Sequence, residues 1–317
     1  MMRLMERARK QPRRIVFPEG SDPRVRAAAE RLAREGVGRP ILVARPDPAA
    51  APGVAFADPS DPALARKYGT VFLERRGSRG ITQMEAQKIA SQPLYFAALM
   101  VAAGDADAFV GGAVNTTAET VRAAIQCVGL RPGIRRVSGF FLMAVQNRQF
   151  GHNGLLLFAD CAVIVDPTAT ELAEIALTTA ETARALLETE PNVALLSYST
   201  KGSAKGRQVE KIVEALRILR ARAPELHVDG ELQADAALVA AVGRAKAPGS
   251  TVAGCANTLI FPNLDAGNIG YKLVERLGDA AAFGPFLQGT AKPMSDLSRG
   301  GSAEAIFHIA IITSLEA

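Results

Sequence analysis

Tryptophan is absent from the sequence, and aromatic residues make up only 5% of its 317 residues. Proteins that bind nucleic acids combine basic patches with aromatic side chains that stack on bases. This chain carries a net charge of +5, but its acidic residues are interleaved with the basic ones. We therefore expect no nucleic-acid partner, and a small anionic substrate explains the positive excess better.

Cysteine and histidine are also scarce, with three residues of each. Cys127, Cys161 and Cys255 are widely separated, form no C-x-x-C pair and are odd in number, which is typical of reduced thiols in the cytoplasm. The simplest interpretation is that they are small, buried apolar side chains. The histidines have neither H-E-x-x-H nor mixed Cys/His ligand spacing, so the sequence predicts no metal site.

No long hydrophobic run is present. The most apolar stretch, residues 155–165, is interrupted by Asp160 and is shorter than the roughly 20 apolar residues that cross a bilayer. The Arg-rich residues 1–14 are not followed by the apolar core of an export signal. Clustered carboxylates of the D-x-D kind are missing too, which disfavours a kinase or an ATPase. We expect a soluble, cytoplasmic protein with no membrane segment.

What is present is the composition of a folded α/β protein, with 48% hydrophobic and 22% charged residues. Because the chain is longer than a single core usually grows, two domains of about 150 residues are expected. Short β-branched or Leu-rich runs alternate with Ala-rich segments of helical period, which predicts βαβ units around mostly parallel sheets.

The pattern predicts seven strands, at residues 14–17, 40–44, 108–111, 136–143, 193–198, 251–254 and 258–261. It predicts nine helices, at residues 24–35, 61–74, 83–90, 93–103, 117–128, 169–188, 205–221, 265–277 and 303–315.

Two turns are the best candidates for domain boundaries, Pro132-Gly133 and Gly284-Pro285. They predict a discontinuous first domain of residues 1–138 plus 286–317, and a second domain of residues 139–285. Residues 46–62, rich in Pro, Ala and Asp, are predicted to be a solvated surface loop and not a linker.

The run of residues 292–302 ends at a predicted helix and holds Arg299 between a serine and two glycines. Free N–H groups at the start of a helix bind anions, and glycines let a ligand approach the backbone. Arg299 would bind phosphate through two parallel hydrogen bonds. The alternative is that Ser302 simply caps the helix. Spacing alone leaves the two interpretations equal.

Two other strand ends carry small and polar residues. Residues 111–117 lie where open α/β sheets bind ligands, but without further context a tight turn capped by Thr116 or Thr117 is the favoured interpretation. Residues 197–206 hold Lys201 and Lys205 without the spacing of a nucleotide P-loop. They suit a phosphate or pantetheine cradle as well as they suit a solvated loop.

Together, short motifs along almost the whole chain resemble the phosphate acetyltransferase (phosphotransacetylase) family. In order they are residues 15–20 (IVFPEG), 112–117 (GAVNTT), 158–161 (FADC), 199–205 (STKGSAK), 229–233 (DGELQ), 256–257 (AN), 261–264 (FPNL), 267–268 (GN), 284–285 (GP), 288–289 (QG), 292–293 (KP) and 296–300 (DLSRG).

The resemblance implies two three-layer α/β domains with mostly parallel sheets and an active-site cleft between them, assembled as a homodimer. It implies an acyltransferase that moves acetyl reversibly between acetyl phosphate and coenzyme A. Coenzyme A, acetyl phosphate and phosphate would be its small-molecule substrates, with no tightly bound cofactor and no metal in the chemistry.

The resemblance also assigns residues. Ser298 and Arg299 match the family's active-site pair and are the expected catalytic residues. Arg122 and Arg76 match arginines that the family uses around phosphate and coenzyme A, and Thr116, Thr117, Asn268 and Gly300 in the matching motifs are also expected to bind substrate. Charge and loop position make Lys201 and Lys205 candidates for the coenzyme A phosphates. One position departs from the family: where it has an aspartate proposed as general base, this chain has Ala305, next to Glu304. Neighbouring helical positions point about 100° apart, so Glu304 does not automatically replace that carboxylate.

Two alternatives stay open. The same chemistry could act on a propanoyl or butanoyl group, since the sequence does not show the size of the acyl pocket. A non-catalytic module that senses acetyl-CoA or acetyl phosphate is the second, because related domains are fused to malic enzymes and Ala305 is consistent with decayed catalysis. The intact Ser298-Arg299 pair and the lack of a fused partner domain argue against the sensor.

Overall fold

The structure, a computed structural model, describes all residues from 1 to 317. Its strands are β1 (Arg14–Phe17), β2 (Arg39–Val43), β3 (Ala55–Ala57), β4 (Ala108–Gly111), β5 (Ser138–Ala144), β6 (Leu155–Ala159), β7 (Val193–Leu196), β8 (Val228–Leu232), β9 (Thr258–Ile260), β10 (Ala281–Gln288) and β11 (Met294–Asp296). Its helices are α1 (Met2–Lys10), α2 (Pro23–Arg34), α3 (Pro62–Arg76), α4 (Gln83–Ala90), α5 (Pro93–Ala102), α6 (Thr117–Ala123), α7 (Ala169–Leu187), α8 (Arg207–Arg222), α9 (Ala234–Leu238), α10 (Ala240–Lys246), α11 (Leu264–Leu277) and α12 (Ala303–Ser314).

The chain forms two compact units. Unit 1 consists of Met1–Gly133 and Thr290–Ala317, and unit 2 of Ile134–Gly289. The sequence placed these boundaries after residues 138 and 285. Unit 2 extends a few residues beyond both predicted boundaries. The reason is that β5 and β10 pair with each other from end to end, so both strands belong wholly to unit 2.

The Gly284-Pro285 turn that suggested a boundary lies inside β10. The pairing of β10 with β5 shifts register between Phe283 and Phe286. Proline has no N–H to give to a ladder, so an irregularity of this kind is where a strand accepts it. The Gly-Pro pair therefore marks an irregularity within a strand and not a turn between domains.

Unit 1 is built on a fully parallel sheet with the strand order β3-β2-β1-β4-β11. The chain runs outward from β1 through β2 and β3, and then returns to the other side of β1 with β4. Helices α2 and α12 pack together, as do α3, α4 and α5, and both α12 and α5 contact β1 and β4. Two helical layers therefore enclose the sheet. The reversal of strand order next to β1 is a topological switch point, where sheets of this kind bind ligands.

Unit 2 has a mixed sheet. Its strand β5 pairs antiparallel with β10 and β6, while β6, β9, β7 and β8 are parallel neighbours. Helices α7 and α8 pack together and contact the parallel strands. An apolar cluster that includes Phe141 and Phe261 fills the core, with Tyr271 stacked on Phe141 at 4.0 Å between ring centres.

The predicted strand at residues 251–254 is wrong. The Ser250 hydroxyl oxygen accepts the N–H groups of Val252 at 3.3 Å and Ala253 at 3.0 Å, which closes a turn there. Val252 is buried in the apolar core of unit 2, and this explains why the segment looked like a strand. Strand β3 lies within the predicted surface loop of residues 46–62, paired with β2.

Candidate active site

A pocket of about 570 Å³ opens at the carboxyl edge of the unit 1 sheet. Its walls come from the turn after β1, the turn after β4 together with α6, and the first turn of α5. The lining residues are Pro18, Glu19, Ser21, Asp22, Gln92, Pro93, Leu94, Tyr95, Val114, Asn115, Glu119 and Arg122. The pocket lies at the switch point between β1 and β4, and it contains one of the predicted substrate-binding arginines.

The turn that carries Ser298 and Arg299 follows β11 at the same edge of the sheet. Both residues and Gly300 are exposed. The backbone of the turn is anchored at one end by Leu297, whose N–H donates to the Gly111 carbonyl at 2.5 Å, and closed by Gly301, whose N–H donates to the Ser298 carbonyl at 2.8 Å. The side chains of Ser298 and Arg299, the predicted catalytic pair, are therefore presented to solvent on a backbone held at both ends of the turn.

Ser302 caps α12, since its hydroxyl oxygen accepts the N–H of Ala305 at 3.2 Å. The capping role that the sequence allowed for Ser302 is real. It leaves the predicted anion-binding role of the turn open, because the Ser298 and Arg299 side chains take no part in the cap.

Thr116 and Thr117 both have structural partners. Thr116 caps α6 in a reciprocal arrangement with Glu119, the favoured interpretation of the sequence. The Thr117 hydroxyl donates to Asp296 at 2.5 Å, which joins the start of α6 to the end of β11. Any contact of these threonines with substrate would come in addition to these roles.

Arg76 and Arg122 are brought together around Tyr95 on the pocket wall. Burial raises the pKa of Tyr95, and the positive charges of Arg122 and Arg76 act against that rise. Arg122 is exposed, whereas the Nε atom of Arg76 is buried without a hydrogen-bond partner. Arg122 therefore supplies positive charge to the pocket wall, and Arg76 acts electrostatically on Tyr95 without lining the pocket.

Two buried carboxyl groups belong to this region, and sequence reasoning did not single them out. Glu19 accepts the N–H of Gly112 at 2.9 Å and the side-chain amide of Asn115 at 2.8 Å. Asp296 is only 1% exposed, and one oxygen of each carboxyl group has no partner. Burial raises the pKa of Asp296 to about 6, and the charge of Glu19 adds to the rise. Glu19 lies two residues after the apolar strand β1, and Asp296 is the last residue of β11.

Gly112 separates the two carboxyl groups. Its φ is +106°, and a Cβ atom there would collide with Asp296 and lie 2.7 Å from the Leu297 nitrogen. Glycine is required at this position, because no other residue lets the turn after β4 pass so close to the end of β11.

Ala305 lies on the first turn of α12, and no carboxylate replaces it there. Glu304 is ion-paired with Arg31 of α2, and its other oxygen lies 3.2 Å from Nε2 of His308. The acidic side chain next to Ala305 is thus engaged with the packing of α12 on α2.

The remaining predicted residues belong to unit 2. Lys201 is ion-paired with the buried Asp229 and donates to the Gly230 carbonyl at 3.0 Å. Lys205 is exposed. The side-chain amide of Asn268 donates to the Cys161 carbonyl at 3.1 Å. Lys201 and Asn268 are thus held by contacts within the protein, whereas no such contact is seen for the Lys205 ammonium group.

No group of three or more His, Cys, Asp and Glu side chains is placed to hold a metal ion. None of the helices has both the length and the apolar character needed to cross a membrane.

Comparison with known proteins gives a consistent result. A family model described as "Phosphate acetyl/butaryl transferase" matches residues 1–314. A phosphate acetyltransferase of Thermoanaerobacterium thermosaccharolyticum is 46% identical, over 99% of this chain and 98% of the relative. The crystal structure of a phosphotransacetylase from Streptococcus pyogenes is 43% identical and superimposes with a TM-score of 0.90, over 99% of this chain and 98% of that one. The chain therefore belongs to the phosphate acetyl/butaryl transferase family of acyltransferases.

Proposed function

We propose that this chain is a phosphate acetyltransferase, which transfers acetyl reversibly between acetyl phosphate and coenzyme A. The observation that carries the proposal is the agreement along almost the whole chain with relatives of that name. The pocket at the switch point of unit 1 and the intact Ser298-Arg299 turn support it.

In the proposed mechanism the thiolate of coenzyme A attacks the carbonyl carbon of acetyl phosphate. The new C–S bond forms, the bond from that carbon to the phosphate oxygen breaks, and phosphate leaves. Ser298 donates a hydrogen bond to the oxyanion, where a fixed donor stabilises the developing charge. Arg299 and Arg122 bind the phosphate, and Arg76 adds positive charge beside Arg122.

The other predicted substrate-binding residues are judged by whether the protein itself already provides them with a hydrogen-bond or ion-pair partner. Lys205 is the better candidate for a coenzyme A phosphate, because the ammonium group of Lys201 is already paired with Asp229. Gly300 leaves room for substrate next to Arg299. Asn268 and the two threonines, residues 116 and 117, act mainly through the backbone and side-chain contacts that they make.

The missing aspartate at position 305 limits the rate without preventing the reaction. A thiol with a pKa of about 8.5 is a few per cent ionised at pH 7. If deprotonation alone suffers, the loss is at most roughly thirtyfold, or about 2 kcal/mol. The mechanism then uses thiolate that forms in solution.

We also propose a cytoplasmic homodimer. Ile269, Leu273 and Leu277 form an exposed apolar stripe on α11, at spacings that place them on one face. A second copy of the chain would cover it. Analytical ultracentrifugation of the wild type and of Leu273→Glu tests this, and a wild-type monomer at micromolar concentration would contradict it.

The function is tested by mixing the protein with acetyl phosphate and coenzyme A and following thioester absorbance. Formation of acetyl-CoA supports the proposal. Binding of both substrates without turnover would favour the sensor. Propanoyl and butanoyl phosphate, assayed in parallel, decide the acyl preference, which the description of the family model leaves open between acetyl and a longer chain.

A further inference from the structure

Arg24, the second residue of α2, uses all its hydrogen-bonding capacity on the protein. Its Nε donates to Asp22 at 3.1 Å, and one terminal nitrogen donates to Asp22 at 2.8 Å and to the Ala113 carbonyl at 3.0 Å. The other terminal nitrogen donates to the carbonyls of Arg299 at 2.7 Å and Gly301 at 3.0 Å. A guanidinium group has five N–H donors, so none is left over.

These bonds join three separate turns at the carboxyl edge of the sheet. Asp22 follows β1, Ala113 follows β4, and the carbonyls of Arg299 and Gly301 belong to the turn after β11. Arg24 is the one side chain seen to hold that last turn, whose other anchors are backbone hydrogen bonds. Because the turn contains two adjacent glycines, its free backbone would otherwise sample many conformations.

The positive charge of Arg24 is balanced by an ion pair with Asp22. Two of its nitrogens face the two carboxylate oxygens of Asp22 in a fork-to-fork pair. That hydrogen bond holds the pKa of Asp22 below its usual range, so the aspartate is ionised at neutral pH. With its charge balanced and its donors occupied, Arg24 differs from Arg299 and Arg122 and is not available to bind phosphate.

We propose that Arg24 is a positioning residue, which fixes the backbone of residues 299–301 and thereby aims the Ser298 hydroxyl and the Arg299 guanidinium at the substrate. This inference rests on the proposed function for its catalytic consequence, but not for the tether itself. Lysine cannot replace Arg24, since a single ammonium group cannot reach acceptors on three turns in a planar fork.

The variants Arg24→Lys and Arg24→Ala test the proposal. Arg14→Lys is the matched control, because Arg14 forms a similar two-pronged pair with Asp107 at the opposite end of β1. Displacement of catalytic groups by about 1 Å can cost roughly 100-fold in rate. We expect both Arg24 variants to lower kcat by about that factor and to raise KM for phosphate, with KM for coenzyme A unchanged and Arg14→Lys like the wild type.

Two further readouts separate positioning from general loss of structure. Guanidinium ion should partly restore the kcat of Arg24→Ala but not that of Ser298→Ala. Amide hydrogen exchange of Gly301, whose N–H closes the turn, should be faster in Arg24→Lys and unchanged in Arg14→Lys.

The possible failures are distinguishable. A folded Arg24→Lys with wild-type kcat and wild-type exchange at Gly301 would overturn the inference. A wild-type protein without turnover would overturn the proposed function instead, and the exchange measurement would still decide whether Arg24 holds the turn.

Discussion

Glu304 is ion-paired with Arg31, and the Arg31 guanidinium lies 3.9 Å from the centre of the Phe307 ring. Arg31 is eight residues beyond the first residue of α2, which places it about 12 Å along the helix from the end near the pocket. The pairing therefore holds the Glu304 carboxylate within the contact between α2 and α12. These contacts are the reason to expect that Glu304 does not replace the aspartate missing at position 305.

Glu304→Gln should leave turnover unchanged for this reason. Because Glu304 is largely exposed, losing its ion pairs should lower stability by no more than about 1 kcal/mol. The measurement is kcat across the pH range together with the free energy of unfolding in urea. A tenfold fall in kcat without unfolding would show that Glu304 takes part in proton transfer after all.

Ala305→Asp should raise turnover, and more so at about pH 6 than at about pH 8.5, because the thiolate is scarce in acid. The control is Ala303→Asp, which places the same charge on the same helical turn but about 200° around the axis. We expect only the first variant to change the pH profile of kcat. An increase that is independent of pH would contradict a role as base for this position.

Ser298→Ala should lower kcat by about 100- to 1000-fold, the usual cost of removing an oxyanion donor. This loss exceeds the roughly thirtyfold cost of the missing base. Ser295→Ala is the control, because Ser295 is buried in β11, where its hydroxyl contacts Thr313 at 3.1 Å, and it does not reach the exposed turn. Unchanged turnover in Ser298→Ala would remove this residue from the mechanism.

Asp296→Asn should stabilise the protein more at pH 7.5 than at pH 4.5. The pKa of Asp296 is about 6 in the folded protein, above the unfolded value of about 3.9. Its ionisation therefore costs stability as the pH rises from about 4 to 6, and the two pH values should differ by about 2 kcal/mol. Unfolding in urea at both pH values measures the difference.

Asp107→Asn, just before β4 of the same sheet, should change stability with pH in the opposite direction. The hydrogen bond from Arg14 lowers the pKa of Asp107, so its stabilisation is present above the unfolded pKa and is lost in acid. This variant should destabilise the protein more at pH 7.5 than at about pH 2.5, because the stabilisation is lost only below the unfolded pKa of about 3.9. If both aspartate variants moved in the same direction, the environment assigned to Asp296 would be wrong.

Local signals made most helices predictable. Thr82 is followed three residues later by Glu85, and this capping box begins α4 where the sequence placed it. Strands without local signals were missed. Strand β11 has three residues inside a run that resembles a loop, and it forms because β4 offers a parallel partner far away in the sequence.

The same limit applies to the site. Arg299 could be found because its motif is continuous in sequence. The role of Arg24 could not, since its bond to the Arg299 carbonyl joins residues 275 positions apart. The raised pKa of Asp296 likewise depends on burial next to Glu19, which no spacing reveals.

Unit 1 is built from two chain segments that are separated by the whole of unit 2, and this determines the order in which its parts are synthesised. Residues 290–317, which supply β11, the Ser298 turn and α12, are translated only after the whole of unit 2. Domains generally fold as units while the chain emerges, at about 5–20 residues per second. Unit 2 can thus finish folding while the edge of β4 is still open. A ribosome that stops anywhere before β11 releases a chain that lacks the turn itself, so in the proposed mechanism incomplete products have neither the oxyanion donor nor the Arg299 phosphate contact.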